Sequence, residues 1–231
     1  KNSGFAGLNM NSVDFAFGGF FSIGTLSYAW AKLYRKSFLD SNKIEFGDYR
    51  YAEDKIYNYF CYIAGARYAF IDKKIYVYRR NEQSVSKTYR KDGDKDWMRI
   101  AQDLQDKIDS LNYEKKQYSQ DEIENYESIV AWTIYFAAFF DGKMEYEYST
   151  GKIRAVINLL KRYASYDLTK KYLKNPLRYT KKIPALSYKI MLGGFAFLMK
   201  CNMYLLLSLG IKLLVDCHID ERLSDTGRKE D

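Results

Sequence analysis

Only two prolines and one histidine occur in 231 residues, and the three cysteines, Cys61, Cys201 and Cys217, include no CxxC pair. So few prolines leave helices uninterrupted and exclude a proline-rich linker chain. An odd number of cysteines without ligand spacing excludes a disulfide framework and a zinc knuckle, and fits a reducing compartment. The histidine, His218, lies in "DCHIDE" beside Asp216, Cys217, Asp220 and Glu221. Neighbours at i and i+2 do not share a helix face, so this segment reads as a helix end at the surface and not as a metal site. The first thirty residues hold no charged n-region followed by an apolar core and a small-residue cleavage site, which points to a cytoplasmic protein. The pair Gly18 and Gly19 lacks the strand-to-helix setting that a phosphate loop requires.

Acid is scarce in one place. From Thr150 to Lys189 the chain carries eleven Lys and Arg against Asp167 alone, a net +10 in forty residues of a protein whose total is +8. Directly after comes "IMLGGFAFLMKCNMYLLLSLGI", Ile190 to Ile211, with Lys200 its only charge. A basic block followed by an apolar run is the order of a membrane-surface segment. As one helix the run could cross a hydrocarbon layer of roughly 30 Å, but Lys200 and Asn202 would fall near the midplane, at about 2.5–3.5 kcal/mol for the lysine. Two shorter apolar helices fit better, either lying in the lipid interface or packed as a buried pair.

What is abundant is core material. The chain is 47% hydrophobic and 17% aromatic, with 23 tyrosines, enough for one large domain or a domain with an extension. Residues 1–24 show no periodicity and read as loop or short extended pieces. Helical spacing covers 25–39, 52–64, 94–111, 121–140, 152–166 and 184–215. Residues 67–71 and 75–79, rich in aromatic and branched side chains and separated by Asp72, Lys73 and Lys74, read as two strands or a hairpin. The expected class is therefore mainly helical α+β. Its expected parts are residues 1–90 and a helical extension over 91–231, with a basic block at 150–189 and apolar helices within 184–215.

One stretch raises a chemical question. Glu53 and Asp54 stand side by side at the head of the 52–64 helix, in a segment otherwise dense in Tyr, Phe and Ile. Helix physics alone accounts for acids there, because they offset the positive end of the dipole and the free N–H groups. Their company suggests more. "AWAKLYRKSFL", Ala29 to Leu39, precedes them, and "IDKKIYVYRRNEQSVS", Ile71 to Ser86, follows one helix and one strand later.

That order, Trp30, Lys32, Leu33, Tyr34 and Arg35, then Glu53 and Asp54, then Tyr76, Tyr78, Arg79, Arg80, Ser84 and Ser86, resembles the second half of family 2 glycosyltransferases of the GT-A type, especially those of bacterial capsule and surface-polysaccharide synthesis. The likeness covers 58 residues, Ala29 to Ser86. It implies transfer of a sugar from a nucleotide-sugar donor to the hydroxyl of a glycan or lipid-linked acceptor, with inversion. Asp54 is then the general base and Glu53 its catalytic neighbour; Trp30, Lys32, Arg79, Arg80, Ser84 and Ser86 are the implied substrate-binding residues. A hydroxyl is a poor nucleophile until a placed carboxylate takes its proton; arginines donate forked hydrogen bonds to a diphosphate; an indole face suits a sugar ring.

A complete family member also has a nucleotide-binding half ending in a DxD motif that holds Mg or Mn. Nothing before Ala29 resembles it, and "DGDKD", Asp92 to Asp96, reads as a loop and helix start. The resemblance therefore implies an acceptor-side half, a fragment of an enzyme with no cofactor of its own. Its expected location is peripheral, at the inner face of the cell membrane. Two alternatives stand beside it. One is a non-catalytic module that binds an anionic membrane surface. The other is a basic nucleic-acid binder that stacks bases on Tyr163, Tyr166, Tyr172 and Tyr179; the apolar run after the block favours lipid, with no nucleic acid among the expected partners.

Overall fold

A computed structural model describes residues 9–22, 25–71, 73, 75–77, 88–113 and 118–217. Among them the chain is mainly helical, in two compact units. Unit 1 comprises Lys1–Thr88 and Gln102–Ile129; unit 2 comprises Tyr89–Ala101 and Val130–Asp231.

Unit 1 begins earlier, and more regularly, than its composition suggests. Helix α1, Val13–Phe17, is capped by Ser12, whose hydroxyl accepts from the Phe15 N–H at 3.1 Å, and a π-helical turn over Gly18–Ser22 follows. This corrects the irregular reading of residues 1–24 where they are described. One turn of helix is too short to display a period, yet it buries Phe15, Ala16, Phe17 and Phe20 completely or nearly so. Phe20 stacks on Tyr59 with centroids 4.4 Å apart, and Phe15 meets Tyr68 at 5.3 Å.

The helix expected over 25–39 is broken. A 3-10 turn, Thr25–Ser27, leads to irregular chain in which Ala31 has φ 56°, and α2 starts only at Lys36, spanning Lys36–Ser41. A left-handed residue ends any right-handed helix. Helix α3, Glu53–Ile63, starts after Ala52, itself left-handed at φ 57°, and carries Glu53 and Asp54 in its first turn. It stops at Gly65, φ 83°, where the Gly65 N–H reaches the Tyr62 carbonyl and the Ala66 N–H the Cys61 carbonyl, both at 3.0 Å. That pair of bonds is the Schellman stop, which glycine alone adopts without strain. Cys61, with Ile44 and Tyr57, centres a small cluster against which Tyr34, Phe38 and Leu39 pack.

No strand forms among the described residues, which corrects the expected pair at 67–71 and 75–79. The two-residue alternation is present, since Tyr68 and Phe70 turn inward while residues 67, 69 and 71 are exposed. A ladder partner is missing: the Tyr68 N–H points to the Met10 sulfur at 3.3 Å, and Ile75 and Val77 are exposed. Residues 78–79 lie outside the described residues.

Helix α4, Gly93–Tyr113, and helix α5, Gln120–Tyr148, each contribute to both units. A capping box starts α5, the Ser119 N–H donating to Glu122 at 2.9 Å and the Glu122 N–H to the Ser119 hydroxyl at 3.3 Å. It runs eight residues past the expected Phe140, because one interior glycine, Gly142, costs only about 1 kcal/mol against a well-packed helix.

In unit 2, α6, Lys152–Ser165, buries Val156, Leu159, Leu160 and Tyr163 along one face. Two short helices that the sequence did not announce follow: α7, Asp167–Leu173, and α8, Pro176–Thr180. The Trp132 indole N–H donates to the Tyr179 carbonyl at 3.2 Å and the Tyr135 hydroxyl to the Tyr172 carbonyl at 2.9 Å, so α5 serves carbonyls that short helices leave without helical partners. The apolar run divides into α9, Leu186–Lys200, and α10, Tyr204–Asp216, with Asn202 at φ 57° in the turn between them. No helix among the described residues is long and apolar enough to cross a membrane.

A buried polar cluster joins α4, α5 and α6 inside unit 2. Asp94, at 1% exposure, accepts from the Arg162 guanidinium at 3.3 and 3.4 Å and from the Tyr166 hydroxyl at 3.1 Å. "DGDKD" is thus the head of α4. Gly93 allows close approach: a Cβ there would stand 3.0 Å from an Asp141 carboxyl oxygen. Burial pushes Asp141 up to about 7, a rise that Asp94 and Asp96 add to and that the Tyr163 hydroxyl bond and Arg90 oppose. The sign follows from linkage: with its pKa raised on folding, Asp141 contributes stability fully present below about pH 4 and lost as pH rises through 7. Asp141→Asn should therefore be more stable than the parent at pH 8, by roughly 2–4 kcal/mol, with the gap closing toward pH 4. Urea unfolding at a series of pH values measures it, and parallel curves for the two proteins would contradict the assignment.

Candidate functional site

The first two parts of the motif, and one residue of the third, meet in unit 1. Residues 28–35 hang between the 3-10 turn and α2 and fold onto the start of α3. The Tyr34 hydroxyl donates to Asn58 Oδ1 at 2.9 Å, and Asn58 Nδ2 donates to the Asp54 carbonyl at 2.7 Å, fixing the loop to the first turn of α3. Asn58 is 2% exposed, so both bonds lie out of competing water. The Tyr34 ring also stands edge-on to Tyr57 at 5.3 Å.

Lys32 comes close enough to Asp54 for their charges to interact. Its ammonium donates to the Tyr28 carbonyl, and desolvation lowers its pKa to about 8, while the Asp54 carboxylate pulls in the opposite direction. Asp54 is partly buried and Glu53 exposed, one step apart on the same turn. Lys55, the next residue, stands over the Phe21 ring at 4.6 Å and is likewise lowered to about 8 by desolvation. Of these two desolvated ammonium groups, Lys32 is the one whose charge interacts with the Asp54 carboxylate, while Lys55 is turned to the aromatic rings.

Beside these charges lies a stack of rings. Trp30 packs against Tyr28 and Tyr76, each with centroids 4.8 Å away and planes within about 21° of parallel. Tyr76 belongs to the third part of the motif. With Trp30 flanked on this scale, the flat surface left to solvent belongs largely to Tyr28 and Tyr76, which are 44% and 50% exposed. Arg79, Arg80, Ser84 and Ser86 lie outside the described residues, as does His218.

Tyr28, Asn58 and Lys55 were not read as site residues from the sequence. Tyr28 carries no spacing signal; Asn58, one turn after Asp54, was the signal available for a partner of that carboxylate's turn. The nucleic-acid alternative loses its stacking platform, because Tyr163, Tyr172 and Tyr179 are buried at 0%, 0% and 6% exposure and Tyr166 is bonded to Asp94.

No group of three or more His, Cys, Asp or Glu among the described residues could hold a metal ion. Comparison of the chain with protein-family models, curated proteins and solved structures finds no match.

The Lys32–Asp54 pairing has a direct readout. Asp54→Asn removes the charge that supports protonation of Lys32, so the Lys32 pKa should drop below about 8 and its free-amine fraction at pH 7 should rise several-fold. Reductive methylation at pH 7, followed residue by residue by mass spectrometry, should show Lys32 labelling faster in the variant while exposed Lys36 is unchanged. Equal Lys32 rates would separate the two motif parts.

Proposed function

We propose that unit 1 carries the acceptor-side site of a GT-A glycosyltransferase, acting in surface-polysaccharide synthesis. Asp54 takes the proton from an acceptor hydroxyl as that oxygen attacks the anomeric carbon of a nucleotide-sugar, and the configuration at that carbon inverts. The C–O bond to the nucleotide diphosphate breaks as the new glycosidic bond forms, the proton resting on Asp54 and the electron pair leaving with the diphosphate. Lys32 places a positive charge near that carboxylate, and Glu53 faces acceptor hydroxyls from the exposed side of the same turn. Tyr28 and Tyr76, both stacked on Trp30, give the apolar face of a sugar ring a platform. Arg79, Arg80, Ser84 and Ser86 take the diphosphate in this scheme.

The observation that carries the reading is the convergence of motif parts far apart in sequence. Trp30 of the first part stacks on Tyr76 of the third, and Lys32 of the first interacts with Asp54 of the second. A dipole-offsetting acid pair needs neither contact, whereas a saccharide site needs both a ring platform and a base beside it.

The test separates binding from chemistry. Saturation-transfer NMR with a panel of hexose disaccharides should show ring-proton contact with the parent chain and with Asp54→Asn, and lose it in Trp30→Ala. Joined to the nucleotide-binding half of a family member, the chain should release UDP, GDP or dTDP from the matching nucleotide-sugar with the saccharide that binds, and Asp54→Asn should lower that release about 10²–10⁴-fold. Saccharide contacts indifferent to Trp30→Ala, or turnover that survives Asp54→Asn, would reject the assignment.

A further inference from the structure

Helices α9 and α10 each have one side in the core and one in water. Leu192, Phe195, Ala196 and Met199 of α9 and Leu207 and Ile211 of α10 are buried. On the other side Leu186, Ile190 and Phe197 are 68%, 66% and 48% exposed, with Gly194 between them, and Leu205, Leu209 and Leu213 are 58%, 46% and 59% exposed. These positions recur at three- and four-residue steps, so each set makes a continuous stripe along its helix. Between the two helices opens a groove of about 430 Å³ whose floor includes Phe139 of α5 and Phe195 and whose lining carries no charged residue. An exposed apolar surface of this continuity marks an interaction site.

Charge decides what covers it. From Asp167 to Asp216 the chain between them has nine Lys and Arg and no Asp or Glu. Lys170, Lys171, Lys174 and Lys181 are exposed on α7 and in the turns before α9, Lys189 and Lys200 lie on α9 itself, and Lys200 donates to the Lys174 carbonyl at 2.8 Å, holding these two cationic residues together at one end of the helix. A second copy of the chain, paired about a two-fold axis, would set this surface against itself and bring cations to cations. An anionic lipid surface meets both features, apolar stripes for the acyl boundary and lysines for the headgroups.

We propose that the outer face of α9 and α10 docks in the plane of an anionic bilayer, with Leu186, Ile190, Phe197, Leu205, Leu209 and Leu213 entering the headgroup–acyl boundary. Neither helix crosses. The interaction is independent of the glycosyl-transfer reading and stands or falls without it.

Flotation of the full chain with vesicles of phosphatidylglycerol mixed with phosphatidylcholine, against phosphatidylcholine alone, tests it. The parent should float with the anionic vesicles, partly resisting salt, because burial of apolar area is not screened. Ile190→Gln, Leu205→Gln and Leu213→Gln together alter only exposed positions, should leave thermal unfolding unchanged, and should weaken partitioning about 100-fold. Lys170→Gln, Lys174→Gln and Lys181→Gln together should weaken it roughly tenfold or more for anionic vesicles alone. Gly194→Leu is the gain-of-function arm: a Cβ at Gly194 meets nothing within 4 Å, so the added side chain should strengthen partitioning about tenfold without loss of stability. A parent chain that stays below the vesicles, or binding untouched by the triple Gln variant, overturns the proposal. So does a concentration-dependent dimer, seen by light scattering, that the same Gln substitutions dissolve.

Discussion

Two hydrogen bonds from one face of α5 hold unit 2 in the form that its surface requires. The Trp132 indole and the Tyr135 hydroxyl donate to backbone carbonyls near the ends of α8 and α7, deep in the core. Helices of five and seven residues do not persist alone, since the nucleation cost exceeds what so few bonds return. Tied to a long, buried helix, they become a platform, and α9 packs on both. The inward side of α9 is taken by this platform and that of α10 by α6 and α9, which leaves the apolar stripes facing outward.

Unit 1 solves a different problem with aromatic rings. Its loop 28–35 has no ladder and no long helix to hold it, and Ala31 and Ala52 both sit in left-handed conformations that alanine adopts at a cost of about 1–2 kcal/mol. Tyr34 and Asn58 supply the missing constraint through two hydrogen bonds, and the Tyr28–Trp30–Tyr76 stack supplies another. Strained backbone held by side chains on either side of a carboxylate is the geometry in which a functional residue is positioned by its surroundings and not by its own preference. Asp54 stands two residues after Ala52, one of these strained positions.

The helices were legible where a period could repeat. Val156, Leu159, Leu160 and Tyr163 spell out the face of α6, and Ile56, Tyr59, Phe60 and Ile63 that of α3, whose stop at Gly65 was visible as a glycine after the last apolar residue. The period failed where elements are one or two turns long, as in α1, α7 and α8, and where side chains beat local propensity, as at 28–35. Residues 67–71 were read as a strand from their aromatic and branched side chains; the alternation seen in the fold reports only which side is buried, while a strand also needs a neighbour to bond. Of the candidate site, Asp54, Lys32 and Trp30 carried sequence signals; Tyr28 and the Tyr34–Asn58 bond did not, since a contact across 24 residues leaves no spacing to read.

The polar residues that interrupt the apolar run show how the same letters change meaning in three dimensions. Read as one helix, Lys200 and Asn202 are a penalty at its centre. In the fold Lys200 is the last residue of α9, where a cation complements the negative end of the dipole, and Asn202 takes the left-handed conformation that asparagine tolerates better than most residues. The two residues that forbid a span are the ones that make the corner. A similar economy operates at the buried carboxylates. Arg162 pairs with Asp94, and Asp141 has the Tyr163 hydroxyl as its hydrogen-bond donor and the more distant charge of Arg90. Burial raises the Asp141 pKa, and the Tyr163 hydroxyl bond and the charge of Arg90 offset that rise only in part.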